Sequence, residues 1–199
     1  MTFPSEITKE EVNELPLHGY PGRIVIVDTM RGLSIAMKEL EKTSFLGFDT
    51  ETKPAFRKGV YHQVALLQLA LAEQVFLIRL NKLGFSGALQ ELFSSDHLLK
   101  VGVSIRDDLA ELQKLSNFEP RGVVELNQVA KGIGVVRERA RNLTATFLGF
   151  RISKSQQTSN WEKDQLTTKQ RRYAATDAWV CHQIYDKLSG LGYIKNRLG

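Results

Sequence analysis

Asp49 and Glu51 have a spacing that points to chemistry, because they end an apolar run that begins at Phe45. Side chains alternate across a β-strand, so residues two apart point to the same face. Two carboxylates held together repel each other and lose hydration unless cations neutralise them. Oxygen ligands of this kind suit Mg²⁺ or Mn²⁺, so the pair predicts a divalent metal site. The same pattern also fits a strand that ends in solvent with two exposed acids.

A third candidate acid lies in the stretch GVSIRDD, which predicts a buried strand turning into a helix. Helix geometry places Asp108 on the same face as Ile105 and Leu112, the side expected to face the core. Asp107 has polar neighbours instead and is expected to be a surface acid, favoured near the start of a helix. Asp108 is therefore the candidate metal ligand.

Tyr173 and Asp177 lie four apart in the last long helix and so project from one face. No Lys or Arg three or four positions from Asp177 could neutralise a buried carboxylate there. The pair predicts a further ligand beside a phenol, although a tyrosine–carboxylate hydrogen bond that only stabilises packing gives the same pattern. His182 and Asp186 have the same spacing among more polar neighbours, which predicts a pair at the surface.

The elements that must position these residues alternate between strands and helices. Apolar runs predict strands at 23–28, 45–51, 64–70, 74–78 and 98–103, and helical spacing predicts helices at 33–41, 88–93 and 105–115. The strands that begin at residues 45, 64 and 74 have short connections and are expected to be antiparallel neighbours. The strand after them follows a helical crossover and is expected to be parallel to one of them. After Pro120 the pattern is helical to the end, and Thr167 with Gln170 predicts a capping box on the last long helix. The fold class is α/β with a mixed sheet.

The composition describes one compact domain, since the chain has 199 residues, of which 42% are hydrophobic and 25% are charged. The single cysteine, Cys181, excludes a disulfide framework and a cysteine-based zinc cluster and fits a reducing compartment. No apolar run approaches the roughly 20 residues needed to span a bilayer, and the N-terminal stretch is acidic where a secretory signal would be basic and then apolar. An intracellular location is expected, cytoplasmic if the source is bacterial, with no membrane partner.

The net charge of +5 is concentrated in one segment. Residues 131–172, the basic segment, hold ten basic and three acidic side chains, a net +7, whereas the rest of the chain has a net −2. A basic segment beside an acidic site is typical of an enzyme that binds a polyanion, and a solvated Lys- and Arg-rich surface is the alternative. The ten residues are Lys131, Arg137, Arg139, Arg141, Arg151, Lys154, Lys163, Lys169, Arg171 and Arg172.

Three motifs in order resemble those of the DEDDy 3′–5′ exonucleases of the ribonuclease H-like superfamily: FDTE at 48–51, GVSIRDD at 102–108 and YAATD at 173–177. Within that family the sequence is most similar to the Werner syndrome exonuclease domain and its stand-alone relatives, through VALLQLA, VELNQVA and SNWEKDQLTTKQRRYAATDAW as well. The resemblance implies a ribonuclease H-like mixed β-sheet flanked by α-helices, the DEDD exonuclease fold. The expected organisation is an N-terminal extension at 1–22, an exonuclease domain at 23–190 and a C-terminal tail at 191–199.

The resemblance implies, residue by residue, a site with two divalent cations, Mg²⁺ or Mn²⁺, held by four carboxylates. Asp49 would bridge both ions. Glu51 and Asp177 would complete the site that carries the nucleophile, and Asp108 would reach the second ion. Tyr173 takes the place of the residue that orients the attacking water, and a tyrosine at this position puts the chain in the tyrosine branch of the family.

The implied reaction is hydrolysis of phosphodiester bonds in DNA from the 3′ end, with release of nucleoside 5′-monophosphates. The basic segment would bind the phosphate backbone. The residues expected to contact nucleic acid are Thr50 (through its backbone N–H), Asn160, Trp161, Lys169 and Arg172, of which the tryptophan fits the core equally well. The sequence departs from its relatives after Asp108, where Leu109 and Ala110 stand in place of an aromatic residue two positions on.

Two other functions stay open from the sequence. An RNA 3′-end processing exonuclease, as in the ribonuclease D branch, would perform the same chemistry on another substrate. The lack of an accessory helical domain before the chain ends at Gly199 favours DNA over RNA. An inert nucleic-acid-binding module on the same fold is the remaining alternative, and the presence of all four acids and the tyrosine argues against it.

Overall fold

A computed structural model describes residues 2–136 and 139–194. Outside the described residues lie Met1, Arg137, Glu138 and residues 195–199. Arg137 and Glu138 belong to the basic segment, and residues 195–199 belong to the predicted tail. The strands are β1 (Arg23–Val27), β2 (Phe45–Thr52), β3 (Val64–Ala70), β4 (Gln74–Arg79), β5 (Leu99–Gly102) and β6 (Val123–Glu125). The helices are α1 (Lys9–Glu14), α2 (Met30–Leu40), α3 (Leu80–Leu83), α4 (Gly87–Ser94), α5 (Ile105–Gln113), α6 (Leu126–Gly132), α7 (Ala140–Leu148) and α8 (Thr168–Gly190). Within the described ranges no helix is both long enough and apolar enough to cross a membrane.

The strands form one mixed sheet in the order β1-β4-β3-β2-β5-β6. β3 is antiparallel to both β2 and β4, and the other neighbouring pairs are parallel. Short connections permit the antiparallel pairs, whereas a parallel pair needs a longer crossover. The mixed sheet, the antiparallel neighbours and the parallel pairing of β5 with β2 confirm the prediction from sequence.

Helices cover both faces of the sheet. Apolar side chains of α2, α4 and α5 pack against one face, and α8 packs against the other, over β3 and β4. α6 and α7 pack with α8 over β5. β3 is buried along its whole length, as expected for a central strand that is covered on both faces. β2 lies beside it in the sheet, and its end carries Asp49 and Glu51.

Two predictions from the sequence need correction. The chain is not helical throughout after Pro120, because β6 pairs with β5 and residues 152–166 form loops and turns. β6 has three residues, too few to show a strand periodicity. His182 is buried, with its ring stacked on that of Phe45 at 4.6 Å between centroids, whereas Asp186 is exposed. The pair therefore does not form a surface feature.

The residues before β1 pack onto the rest of the fold. The Arg151 amide donates a hydrogen bond to the Pro16 carbonyl (2.9 Å), and the His18 amide donates one to the Arg151 carbonyl (2.9 Å). The rings of Phe3 and Phe147 meet edge to face, 4.8 Å apart. The predicted N-terminal extension therefore lies along α7 and the connection that follows it.

Candidate active site

Three of the predicted ligands come together at the end of β2. Carboxylate oxygens of Asp49, Glu51 and Asp177 lie within 4.8 Å of one another, and all three residues are half-buried. Asp49 and Glu51 share one face of β2 because they are two residues apart, and that face packs against α8, which carries Asp177. Strand alternation and helix packing thus join two distant motifs into one acidic cluster.

Gly47 allows α8 to approach β2 closely. A Cβ atom at this position would lie 2.0 Å from the Ala178 carbonyl oxygen and 2.8 Å from the His182 amide nitrogen. Only a residue without a side chain fits between this strand and this helix. Because Gly47 shares its strand face with Asp49, and Ala178 follows Asp177, the contact fixes the separation of these two acids.

Asp108 lies beside the cluster and approaches β2 through a different contact. Its Oδ1 accepts a hydrogen bond from Thr50 Oγ1. Thr50 lies between Asp49 and Glu51, so its side chain points to the other face of β2, as the sequence indicated. Asp107 is exposed and Asp108 is half-buried, which is the arrangement that helix geometry predicts.

The start of α5 is held by two side chains to which the sequence analysis gave no role. Ser104 adopts a left-handed backbone conformation with φ 59°, uncommon for a residue other than glycine. Asn127 Oδ1 accepts a hydrogen bond from the Ser104 amide (2.7 Å), and Glu125 Oε1 accepts one from the Ile105 amide (3.1 Å). These bonds satisfy amides at the start of the helix that carries Asp108. The signal was the polar Glu and Asn within the motif VELNQVA.

The four acids form no salt bridge with any described cation. Burial, followed by repulsion from Asp108 and Asp177, raises the pKa of Asp49 well above its ordinary value. Burial and repulsion from Asp49 raise the pKa of Glu51 to about 10. Burial raises the pKa of Asp177 to about 7, although contact with the Tyr173 hydroxyl opposes the shift. Ionised carboxylates in this arrangement need a bound cation.

Tyr173 lies next to the cluster on α8. Burial, followed by Asp177 and Glu51, raises the pKa of its hydroxyl above the ordinary value, so the group stays protonated and can donate a hydrogen bond. Trp161 packs against the Tyr173 ring, with 6.0 Å between centroids, and is fully buried. A buried indole presents no face to a base. Trp161 is thus a core residue behind the tyrosine, which corrects the prediction that it contacts nucleic acid.

A cavity of about 430 Å³ opens over the acids, and we call it the catalytic cavity. Asp49, Tyr173 and Asp177 line one part of it. Residues of the basic segment line another part: Arg139, Arg141 and Lys154. The charge asymmetry found in the sequence therefore corresponds to a cavity with carboxylates and cations in its wall, which is suited to a polyanion.

Two of the other residues predicted to contact nucleic acid line a cavity beside this one. Lys169 and Arg172 line a neighbouring cavity of about 440 Å³ that also includes Tyr173 in its wall. Asn160 is exposed, and its Oδ1 accepts a hydrogen bond from the Glu162 amide (3.0 Å). Their contacts with nucleic acid, like that of the Thr50 amide, stay predictions.

Comparison with known proteins identifies the family. The sequence model of a family described as 3′-5′ exonuclease matches residues 24–191. The chain belongs to the 3′-5′ exonuclease family. The bifunctional 3′-5′ exonuclease/ATP-dependent helicase WRN of Mus musculus is 30% identical over 190 residues, which cover 90% of this chain and 14% of that protein. Ribonuclease D of Xanthomonas oryzae pv. oryzae is 30% identical over 156 residues, which cover 77% of this chain and 42% of that protein. The exonuclease thus spans less than half the length of either relative.

A solved structure gives the same result. The EXO domain of Aedes aegypti Nibbler superposes with a TM-score of 0.79 at 25% identity, over 87% of the exonuclease and 94% of that chain. This similarity, with the six-stranded mixed sheet, confirms the predicted ribonuclease H-like DEDD exonuclease fold. The family match confirms the predicted resemblance and the prediction of an exonuclease enzyme, and it supports nucleic acid as the substrate class.

Divalent metal ions are used by this family, and the residues present fit them. The donor set consists of carboxylate oxygens, the ligands that hard cations prefer. The cluster is half-buried, and no described Lys or Arg pairs with it, so a cation would relieve the repulsion among its members.

The free energy of unfolding of the metal-free exonuclease should reflect the protonation of Asp177. Its pKa is raised from 3.8 to about 7 in the folded state, so its stabilising contribution is fully present below about pH 3.8 and is lost as pH rises through about 7. Asp177→Asn cannot ionise, so its Tm in EDTA should exceed that of the wild type by a margin that grows over this pH window. The measurement is thermal denaturation of both proteins in EDTA. A Tm difference between the two proteins that shrinks as pH rises would contradict the raised pKa of Asp177.

Proposed function

We propose that the exonuclease hydrolyses DNA from its 3′ end with two divalent cations, Mg²⁺ or Mn²⁺, and releases nucleoside 5′-monophosphates. The observation that carries this proposal is the meeting of Asp49, Glu51 and Asp177 within 4.8 Å, in a cavity that also has basic residues in its wall. The basic part would attract the phosphate backbone, and the acidic part would need cations. Together they suit phosphodiester hydrolysis.

The carboxylates would divide the work of holding the cations. Asp49, Glu51 and Asp177, whose carboxylate oxygens lie within 4.8 Å of one another, would hold one ion, and Asp108 would hold a second ion together with Asp49. Two divalent ions supply an activated water and stabilise charge on the attacking and leaving oxygens. The hydrogen bond from Thr50 restricts the Asp108 carboxylate, and the Glu125 and Asn127 contacts fix the start of its helix.

Tyr173 would position the attacking water by a hydrogen bond. Its raised pKa keeps the hydroxyl protonated near neutral pH, so it cannot accept a proton and would act as a hydrogen-bond donor beside Asp177. We expect Tyr173→Phe to lower kcat by about 10–100-fold, the value of one hydrogen bond to a charged group, with KM within about threefold of the wild type. The measurement is steady-state hydrolysis of a 5′-labelled oligonucleotide. Tyr185→Phe, a buried tyrosine of the same helix in another part of the core, is the matched control and should keep full activity. An increase in KM with unchanged kcat in Tyr173→Phe would contradict the proposed role of Tyr173 in positioning the water.

Phosphate contacts are proposed for five basic residues that line the two cavities: Arg139, Arg141, Lys154, Lys169 and Arg172. Contacts with nucleic acid are proposed as well for Asn160 and the Thr50 amide. Phosphate contacts release counterions from the nucleic acid, so the logarithm of the binding affinity should fall linearly with the logarithm of the salt concentration.

The lone buried cysteine and the nucleic-acid substrate support an intracellular location, cytoplasmic in a bacterium.

DNA is the proposed substrate because the similarity to the exonuclease/helicase covers 90% of the chain, against 77% for ribonuclease D. RNA processing is the second candidate, favoured by the match to ribonuclease D itself. The test compares kcat/KM for a DNA oligonucleotide, its RNA counterpart and DNA with one 3′-terminal ribonucleotide. We expect DNA to be preferred by about tenfold or more, and the terminal 2′-hydroxyl alone to account for most of the difference. Equal kcat/KM for RNA and DNA would contradict the proposed preference for DNA, and faster cleavage of RNA would make RNA the substrate.

A further inference from the structure

We infer that the N-terminal extension forms part of the substrate-binding surface: with α7 and Lys154 it encloses a second basic cavity, which takes the single strand on the 5′ side of the nucleotide being removed. This inference rests on the proposed function. The second cavity measures about 610 Å³, and we call it the N-terminal cavity. Its volume lies within the range of about 300–1,000 Å³ found for sites that hold small ligands, so it has room for a nucleotide.

The N-terminal cavity lies next to the catalytic cavity. The two share Arg139, Arg141 and Lys154 in their walls. Beyond these shared cations, the wall of the N-terminal cavity contains Lys9 and Glu6 from the N-terminal extension. A strand whose 3′ end lies at the acids can therefore pass from one cavity into the other along a row of cations.

The cations of this row are available to bind phosphates. Lys9, Arg139, Arg141 and Lys154 form no salt bridge with a described carboxylate. Basic side chains that line a concave surface and have no carboxylate partner attract a polyanion.

The N-terminal wall is held in place by its own contacts. Arg141 Nη2 donates a hydrogen bond to Asn13 Oδ1 (2.6 Å), and Arg151 Nε donates one to the Leu15 carbonyl (2.9 Å). Val12 is 1% exposed, so α1 is anchored by a buried side chain. The N-terminal extension therefore offers a fixed surface beside the catalytic cavity.

The third cavity, which contains Lys169 and Arg172, is the competing route. It shares only Ser153 and Tyr173 with the catalytic cavity and none of the basic residues in the catalytic cavity wall. The three cations shared by the N-terminal and catalytic cavities favour the N-terminal cavity for the strand. The test must therefore compare the two routes directly.

The experiment measures kcat/KM against substrate length, from a dinucleotide to oligonucleotides of about 4–16 nucleotides. Lys9 lies only in the N-terminal cavity and is exposed, so Lys9→Glu should fold normally. We expect Lys9→Glu to lower kcat/KM on the longest substrate by about tenfold and on the dinucleotide by less than about twofold. Lys9→Gln should reduce the salt slope by about 0.7, the value for one lost contact with a single strand.

Two comparison variants make the result decisive. Lys38→Glu, at an exposed position of α2 on the other side of the sheet, should behave as the wild type at every length. Lys169→Glu tests the competing route. Loss of length dependence in Lys169→Glu but not in Lys9→Glu would overturn the inference, as would an equal loss on the dinucleotide and the long substrate in Lys9→Glu. A wild type that cleaves none of these substrates would refute the proposed function instead. The binding affinities of labelled oligonucleotides of different lengths, measured by fluorescence anisotropy for the same variants, would then still test the inferred path.

Discussion

Replacing Asp49 by asparagine is expected to lower exonuclease activity by about 10³-fold or more while raising the Tm of the metal-free protein. Asp49 is the proposed ligand shared by both cations, so its loss removes the charge that holds them. Without metal, the same carboxylate is buried and repelled by Asp108 and Asp177. A neutral isostere removes that repulsion, for a gain of about 1 kcal/mol or more and about 2–4 °C in Tm. Opposite effects on activity and stability distinguish a ligand from a merely structural residue.

The measurement pairs an activity assay in Mn²⁺ with thermal denaturation in EDTA. Asp107→Asn is the matched control, because Asp107 is an exposed aspartate directly beside Asp108. Asp107→Asn should keep wild-type activity and should not raise Tm, because it removes a charge that favours the start of α5. A metal-free Asp49→Asn protein less stable than the wild type would show that the carboxylate has a partner that stabilises it. Retained activity would exclude Asp49 from the site.

Replacing Gly47 by alanine is expected to destabilise the protein and to weaken metal binding together. The new Cβ would lie 2.0 Å from the Ala178 carbonyl oxygen, a backbone atom that cannot move unless α8 moves. Overpacking of this kind costs about 1–3 kcal/mol, and a contact with two backbone atoms belongs at the upper end. Movement of α8 would carry Asp177 away from Asp49. Activity should therefore be reduced even at temperatures well below the Tm of the variant, where the protein is folded.

Thermal denaturation and Mn²⁺ titration of Gly47→Ala test this expectation. The matched control is Gly190→Ala at the end of α8, where a Cβ would meet no atom within 4 Å. Its stability and metal affinity should stay at wild-type values or improve slightly. If Gly47→Ala lost stability but kept wild-type affinity for Mn²⁺, the spacing of β2 and α8 would not control the acidic cluster.

The sequence was sufficient to predict the acidic cluster because local geometry determines which way each acid points. Two-residue alternation placed Asp49 and Glu51 on one face of β2, and four-residue spacing placed Tyr173 and Asp177 on one face of α8. The capping box of Thr167 and Gln170 marked the start of that helix and is present in the structure. The antiparallel arrangement of β2, β3 and β4 and the parallel pairing of β5 followed from connection lengths, whereas the pairing of β1 with β4 was not predicted.

Features that depend on distant contacts could not be predicted in the same way. β6 is stabilised by its pairing with β5, and its three residues carry no periodicity. Trp161 is large and apolar beside polar neighbours, a pattern that fits a core residue and a stacking platform equally, and only packing against Tyr173 decides between them. The N-terminal extension docks through bonds such as Arg151 Nε to the Leu15 carbonyl, which join residues far apart in sequence.

The most direct test of the central claim follows the degradation of a 5′-labelled DNA strand by the wild-type protein in Mn²⁺ and in EDTA. We predict a ladder of products shortened from the 3′ end in Mn²⁺ and no products in EDTA, because in the proposed mechanism the acidic cluster would hold the cations that activate water. A single labelled mononucleotide released first would mean degradation from the 5′ end. The same ladder in EDTA would mean that hydrolysis does not depend on divalent cations at this site, and either result would contradict the account.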